Sequence, residues 1–148
     1  MRKLIAAFGL TMMACGGGGG GGGGDAQATV TAGVAGAATP ISSSATVHEV
    51  QMVLTEAGEY KYVPDELTIK VGDTVRWINA SGGPHNVQFK PGTVPEGAQA
   101  VLNAAMANRM GEMFGPFLMA PNEVYEIDFT GAPAGEYPYV CTPHEMLG

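Results

Sequence analysis

Leu67-Thr68-Ile69-Lys70-Val71-Gly72-Asp73-Thr74-Val75-Arg76-Trp77-Ile78 decides the fold class of this chain. Leu67, Ile69 and Val71 occupy alternate positions, the two-residue period of a strand with one face in a core. Gly72-Asp73 is a turn signal, and the run after it is dominated by β-branched and aromatic side chains that suit a pleated, half-buried surface. The rhythm extends in both directions. Upstream, Val50, Met52 and Leu54 share a parity; downstream, Val87 and Phe89 resume it after a Gly82-Gly83-Pro84 turn. Tyr125, Ile127 and Phe129 alternate with Glu126 and Asp128, and Tyr137, Tyr139 and Cys141 alternate after Gly135. Short extended runs punctuated by Gly, Pro and Asp predict an all-β fold, a β-sandwich over residues 47–148, with Cys141 facing inward.

One stretch departs from that rhythm. Pro95 to Met113 carries Ala98, Ala100, Leu102, Ala104, Ala105 and Ala107 behind a Pro-Glu start, which predicts a short helix inserted in the sandwich. Met106, Met110 and Met113 would then share a helical face, a spacing that serves core packing more often than metal contact.

Composition narrows the function classes. The 148 residues leave room for one domain with appendages; 45% hydrophobic residues support a core, while 23 glycines and 10 prolines argue against a helix bundle. A net charge of −7 with only seven Lys and Arg cannot neutralise many phosphates, so nucleic acid is excluded as a partner. The sequence holds no internal repeat, Gly-rich phosphate loop, paired catalytic carboxylates or nucleophile elbow.

The N-terminus reads as an export signal. Arg2 and Lys3 precede the uncharged, mostly apolar Leu4 to Ala14, a signal peptide over residues 1–14 that is too short for the about 20 apolar residues of a membrane span. Met12-Met13-Ala14-Cys15 resembles a bacterial lipobox, which makes Cys15 the expected lipidation site. Gly16 to Gly24 is unbroken glycine, and residues 25–46 contain no aromatic side chain, so 15–46 is expected to be a flexible tether reaching on the order of 30 Å. Loss of Arg2 and Lys3 with the leader leaves five basic against fourteen acidic residues, −9, on the exported part. The expected location is the periplasm or cell surface, with a lipid anchor in a bacterial membrane.

The residues suited to chemistry are His85 and the Cys141-Thr142-Pro143-His144 run, each at the end of a predicted strand. Neighbouring loops at one end of a sandwich bring distant segments together. Two imidazoles and one thiolate with a weak axial ligand form the trigonal set of blue-copper electron-transfer sites, because imidazole suits Cu(II) and soft thiolate suits Cu(I). Taken singly, His85 reads as a turn histidine and Cys141 as a buried structural thiol. His48, near the tether, has no accompanying motif and reads as a non-ligand.

Together the motifs are more specific. Trp77-Ile78-Asn79, Pro84-His85-Asn86-Val87 and Gly135-Glu136-Tyr137-Pro138-Tyr139-Val140-Cys141-Thr142-Pro143-His144 resemble plastocyanin and related cupredoxins, as does Pro64 to Val75. The resemblance covers residues 47–148 and implies a Greek-key sandwich, one type 1 copper ion, and His85, Cys141 and His144 as its ligands. It also implies that Asn86 ties the two ligand loops together beside Thr142 and Pro143, the kind of outer contact that orients ligands. Relatives of this type place an axial methionine five residues after the histidine, followed by a last strand. That position here would be 149, so the chain is expected to be cut just before both. Met146 is the only methionine in the loop, and its short span from His144 works against an axial role.

The expectation is a monomeric carrier of single electrons between redox proteins, not an enzyme, with an exposed His144 edge as electron port. Gly83, Pro84, Met146 and Leu147 would supply an apolar docking patch, and Glu56, Glu59, Asp65 and Glu66 a solvated acidic face. The alternatives are a copper-delivery protein using the methionine stripe, a fragment of a multicopper enzyme, and a metal-free adhesion module. Only three histidines speak against the multicopper enzyme.

Overall fold

The computed structural model describes residues 2–7 and 45–145; Cys15, most of the leader, the tether to Ser44, Met146 and Leu147 lie outside the described residues. Two four-stranded sheets pack face to face. The strands are β1 (Arg2–Ala7), β2 (Val47–Leu54), β3 (Tyr60–Val63), β4 (Glu66–Lys70), β5 (Thr74–Asn79), β6 (Gln88–Phe89), β7 (Val124–Asp128) and β8 (Gly135–Val140). One sheet has the order β4-β1-β8-β6 and the other β3-β2-β5-β7. Both are mixed, with β1 parallel to β4 and β2 parallel to β5, because the chain changes sheet at every connection from β3 onward. The sandwich expected from alternation is present, with the inward parity as read: Ile69, Val75, Trp77, Ile127, Phe129, Tyr137 and Tyr139 are buried. Leu54 departs from it at 46% exposed, because its pair with Tyr60 sits at the mouth of the β2–β3 hairpin, past the core.

The core behind β8 is aromatic. Tyr139 meets Trp77, Phe89 and Tyr62 edge-on, with centroids 5.6, 5.9 and 4.9 Å apart. Such edge-to-face pairs add about 0.5–1.5 kcal/mol each beyond area burial and fix relative orientation. They give β8, which leads into Cys141, a rigid seat.

The inserted helix is shorter than its sequence suggests. Helix α1 spans Ala98–Ala105, buries Ala98 and Leu102, and closes with the Met106 N–H donating to the Leu102 carbonyl at 2.8 Å. Met106, extended at φ −78° and ψ 102°, ends the helical path, and the Asn103 side chain accepts from the Met113 N–H at 2.8 Å, turning the chain back. The expected methionine face therefore does not form: Met106 and Met113 are core residues and Met110 is 58% exposed.

Arg2–Ala7, the first part of the segment read as a leader, is strand β1. It lies between β4 and β8, with Leu4 opposite Leu67 on one side and Tyr137 on the other. Leu4 and Ala6 are buried while Ile5 is 37% exposed, so this uncharged run also satisfies the strand period. Among the described residues no helix is long and apolar enough to cross a membrane.

Candidate metal centre

The first loop of the site begins where β5 ends. Asn79 continues the inward parity of Val75 and Trp77 and is fully buried. Its amide donates to the carbonyls of Gly83 and Leu118, both at 3.0 Å, and its Oδ1 accepts from the Gly82 N–H at 2.8 Å. Gly82 and Gly83 have φ of 76° and 84°, the left-handed region open to glycine at no steric cost, and a Cβ on Gly82 would press on Pro121 at 3.1 Å. The chain then reaches His85, whose backbone exchanges hydrogen bonds with Leu118 at 3.0 and 2.7 Å. The His85 ring is thereby placed in the interior, 2% exposed.

The second loop follows β8. Cys141 stands at the last inward position, and Thr142–His144 forms a single 3-10 turn, the His144 N–H donating to the Cys141 carbonyl at 3.0 Å. That turn folds the His144 ring back over the thiol. The loops are joined by Asn86, whose Oδ1 accepts from the Thr142 N–H at 2.8 Å and its hydroxyl at 2.9 Å. Pro143, inside the turn, restricts its backbone.

Three donor atoms converge as a result. Cys141 Sγ lies 3.7 Å from His85 Nδ1 and 3.2 Å from His144 Nδ1, and the ligand atoms of all three residues fall within 4.8 Å of one another. The two sulfur–nitrogen spacings suit one ion bound at about 2.0–2.3 Å, while the widest separation, 4.8 Å, requires the two imidazoles to close slightly around it. Charge also fits. Burial and the neighbouring His144 push His85 down to about 4, and burial lowers His144, so both rings are neutral with lone pairs free near neutral pH. Burial raises the Cys141 thiol, which a soft cation must deprotonate on binding. Two nitrogens and one sulfur are the donor set that suits copper in either oxidation state.

The comparisons with known proteins agree. Copper binding proteins of the plastocyanin/azurin family match residues 48–148, most of the chain. This chain belongs to that family. A chloroplastic plastocyanin of Chlamydomonas reinhardtii is 35% identical over 117 residues, covering 79% of this chain and 73% of that protein. A Synechococcus plastocyanin is 40% identical over 94 residues, 64% of this chain and 62% of its own length. The amicyanin of Paracoccus denitrificans is 37% identical over 95 residues, covering 64% and 60%. A solved mutant fern plastocyanin aligns with TM-score 0.49 at 27% identity, over 68% of this chain and 91% of that one. Membership places the chain in a family of copper binding proteins rather than among enzymes.

Within this plastocyanin-like frame, His85, Cys141 and His144 are brought together as their motifs suggested, and Asn86 and Thr142 join the loops. His48 stands apart from them, bonded through Nε2 to Asp73 at 2.8 Å. Met146, raised as an axial ligand, lies outside the described residues. The expected open edge of His144 is narrower than thought: the residue is 8% exposed and the Tyr60 ring is stacked on it. Three contributors were not singled out from sequence. Asn79 had a signal, a polar side chain at an inward strand position. Ser81, whose hydroxyl is 3.2 Å from His85 Nε2, and Tyr60 had none, because their contacts arise only when loops meet.

Proposed function

We propose that this protein carries single electrons between redox proteins outside the cytoplasm, using one copper ion held by His85, Cys141 and His144. The observation that carries the reading is the convergence of one thiol and two imidazole donors within 4.8 Å at the buried end of an aromatic sandwich. Copper bound there supplies the Cu(I)/Cu(II) couple. The chain's own residues keep the donors in place: Asn86 links the loops, Asn79 shapes the first, and the Tyr139 cluster seats β8. Donors that do not move when charge changes need little reorganisation. Partners would meet this end of the sandwich through a small, transient interface.

The test is a Cu(II) titration of the full chain followed by visible absorption and EPR. An intense thiolate-to-copper band that disappears in Cys141→Ser supports the reading; copper uptake without that band, or a band surviving the substitution, overturns it. Copper delivery through a methionine face loses its basis, since Met106 and Met113 are core residues.

Export and anchoring through lipidated Cys15 belong to the same proposal. The lipobox-like Met12 to Cys15 run and the glycine tether support it. The pairing of Arg2–Ala7 as β1 favours a second reading, in which these residues stay in the folded domain. The intact mass of the membrane-extracted protein decides: a chain starting at Cys15 with added acyl mass supports the anchor, and an unprocessed chain supports the retained strand.

A further inference from the structure

The two imidazoles are held in different ways. The outer nitrogen of His85 has Ser81 Oγ at 3.2 Å, the kind of partner that fixes ring orientation in metal-binding histidines. No comparable hydrogen bond reaches Nε2 of His144 among the described residues. Instead the Tyr60 ring lies flat on it, with centroids 3.5 Å apart and planes 7° from parallel. The same ring meets His85 edge-on at 5.5 Å, so one side chain touches both imidazoles. Tyr60 is itself well seated. It opens β3 opposite Leu54, just after a hairpin closed by the Thr55 N–H donating to the Glu59 carbonyl at 2.8 Å and the Gly58 N–H to the Thr55 carbonyl at 2.9 Å. Tyr60 is half-buried, while His144 beneath it is buried.

We propose that Tyr60 is a positioning residue for His144: its ring sets the plane of that imidazole and stands between it and solvent, so a redox partner meets Tyr60 before the ligand. The inference rests on the copper reading for its role, but the contact itself does not need copper. The stack stands where His85 has its Ser81 hydrogen bond and His144 has no counterpart among the described residues. A flat aromatic cover also excludes water from one face of the ligand while leaving its Nδ1 free toward Cys141.

The test is NMR of the metal-free full chain, backed by EPR of the copper-loaded one. In the parent, the ring protons of His144 should be displaced upfield of those of His48 by the Tyr60 ring current. Tyr60→Phe, which keeps the ring, should retain the displacement, and Tyr60→Leu should abolish it. With Cu(II) bound, the hyperfine lines of Tyr60→Leu should broaden as His144 samples several orientations, while Tyr60→Phe keeps the parent line shape. An undisplaced His144 in the parent overturns the proposal without any variant, and so does a displacement or line shape unchanged in Tyr60→Leu. Absence of a thiolate–copper band in every protein, parent included, would sink the copper reading while the metal-free spectra still decide the Tyr60 contact.

Discussion

Asn86 Oδ1 accepts two hydrogen bonds from Thr142, at 2.8 Å from the backbone and 2.9 Å from the hydroxyl, across 56 residues of sequence. This is a direct link between the two loops that bring His85 and Cys141 together. Asn86 is 1% exposed, so its Oδ1 has no ready substitute for these donors in water. Asn86→Ala should cost about 1–3 kcal/mol of stability and about 10–100-fold in copper affinity. Urea denaturation of the metal-free protein and competitive copper titration read the two effects separately; unchanged affinity would remove Asn86 from the site's support.

Asn79 shapes the His85 loop from inside the core, with three hydrogen bonds to backbone groups. Asn79→Leu fills similar volume but takes the side-chain partner from the Gly82 N–H and the Gly83 carbonyl, while the Leu118 carbonyl keeps the His85 N–H. It should destabilise the fold by about 2–4 kcal/mol and speed amide exchange of residues 80–86 more than that of β2. Uniform exchange changes throughout the chain would show that Asn79 acts on global stability alone.

Metal-free stability should fall in mild acid. Folded His85 titrates at about 4, held down by burial and then by His144, against an ordinary 6.5. Between those values the unfolded chain binds the extra proton, so the contribution is full above about pH 6.5 and lost toward pH 4, on the order of 3 kcal/mol in all. Burial lowers His144 as well and adds loss of the same sign. Asp73 acts in a separate window: burial raises it, but hydrogen bonds from Thr46, Lys70 and His48 hold it below 3.8 overall, so its share is lost only at lower pH. Denaturation midpoints from pH 7 to 4 check the first slope, which His85→Gln should reduce; equal slopes in both proteins would refute its assignment to His85.

The role of β1 depends on processing. Leu4 is fully buried between β4 and β8. Leu4→Ala in an unprocessed chain should therefore cost about 2–5 kcal/mol. In a chain cleaved before Cys15 the substitution is gone and nothing should change, although the edges of β4 and β8 would then lie open to pairing. Thermal denaturation of both forms, parent against Leu4→Ala, separates the cases.

Much of this protein was legible before its structure. Alternation along Leu67–Val71, Tyr125–Phe129 and Tyr137–Cys141 predicted which faces are buried, and those residues lie inward or partly so as expected. The helix was legible in place but not in length, since its end depends on Met106 turning extended and on the Asn103 contact to Met113. The Leu4–Ala7 part of β1 was ambiguous in principle, because a short uncharged apolar run satisfies both a leader and an inward-outward strand.

The sequence by itself determined the class of fold and the chemical identity of the donors, because the strand period and the affinity of imidazole and thiolate for a soft metal are local properties. Only the tertiary structure decided that His85 and Cys141 meet, that Asn86 locks their loops, and that Tyr60 lies on His144. Those relationships join residues from different strands and loops, and their distances are set by how two sheets pack, a quantity that no short window of sequence contains.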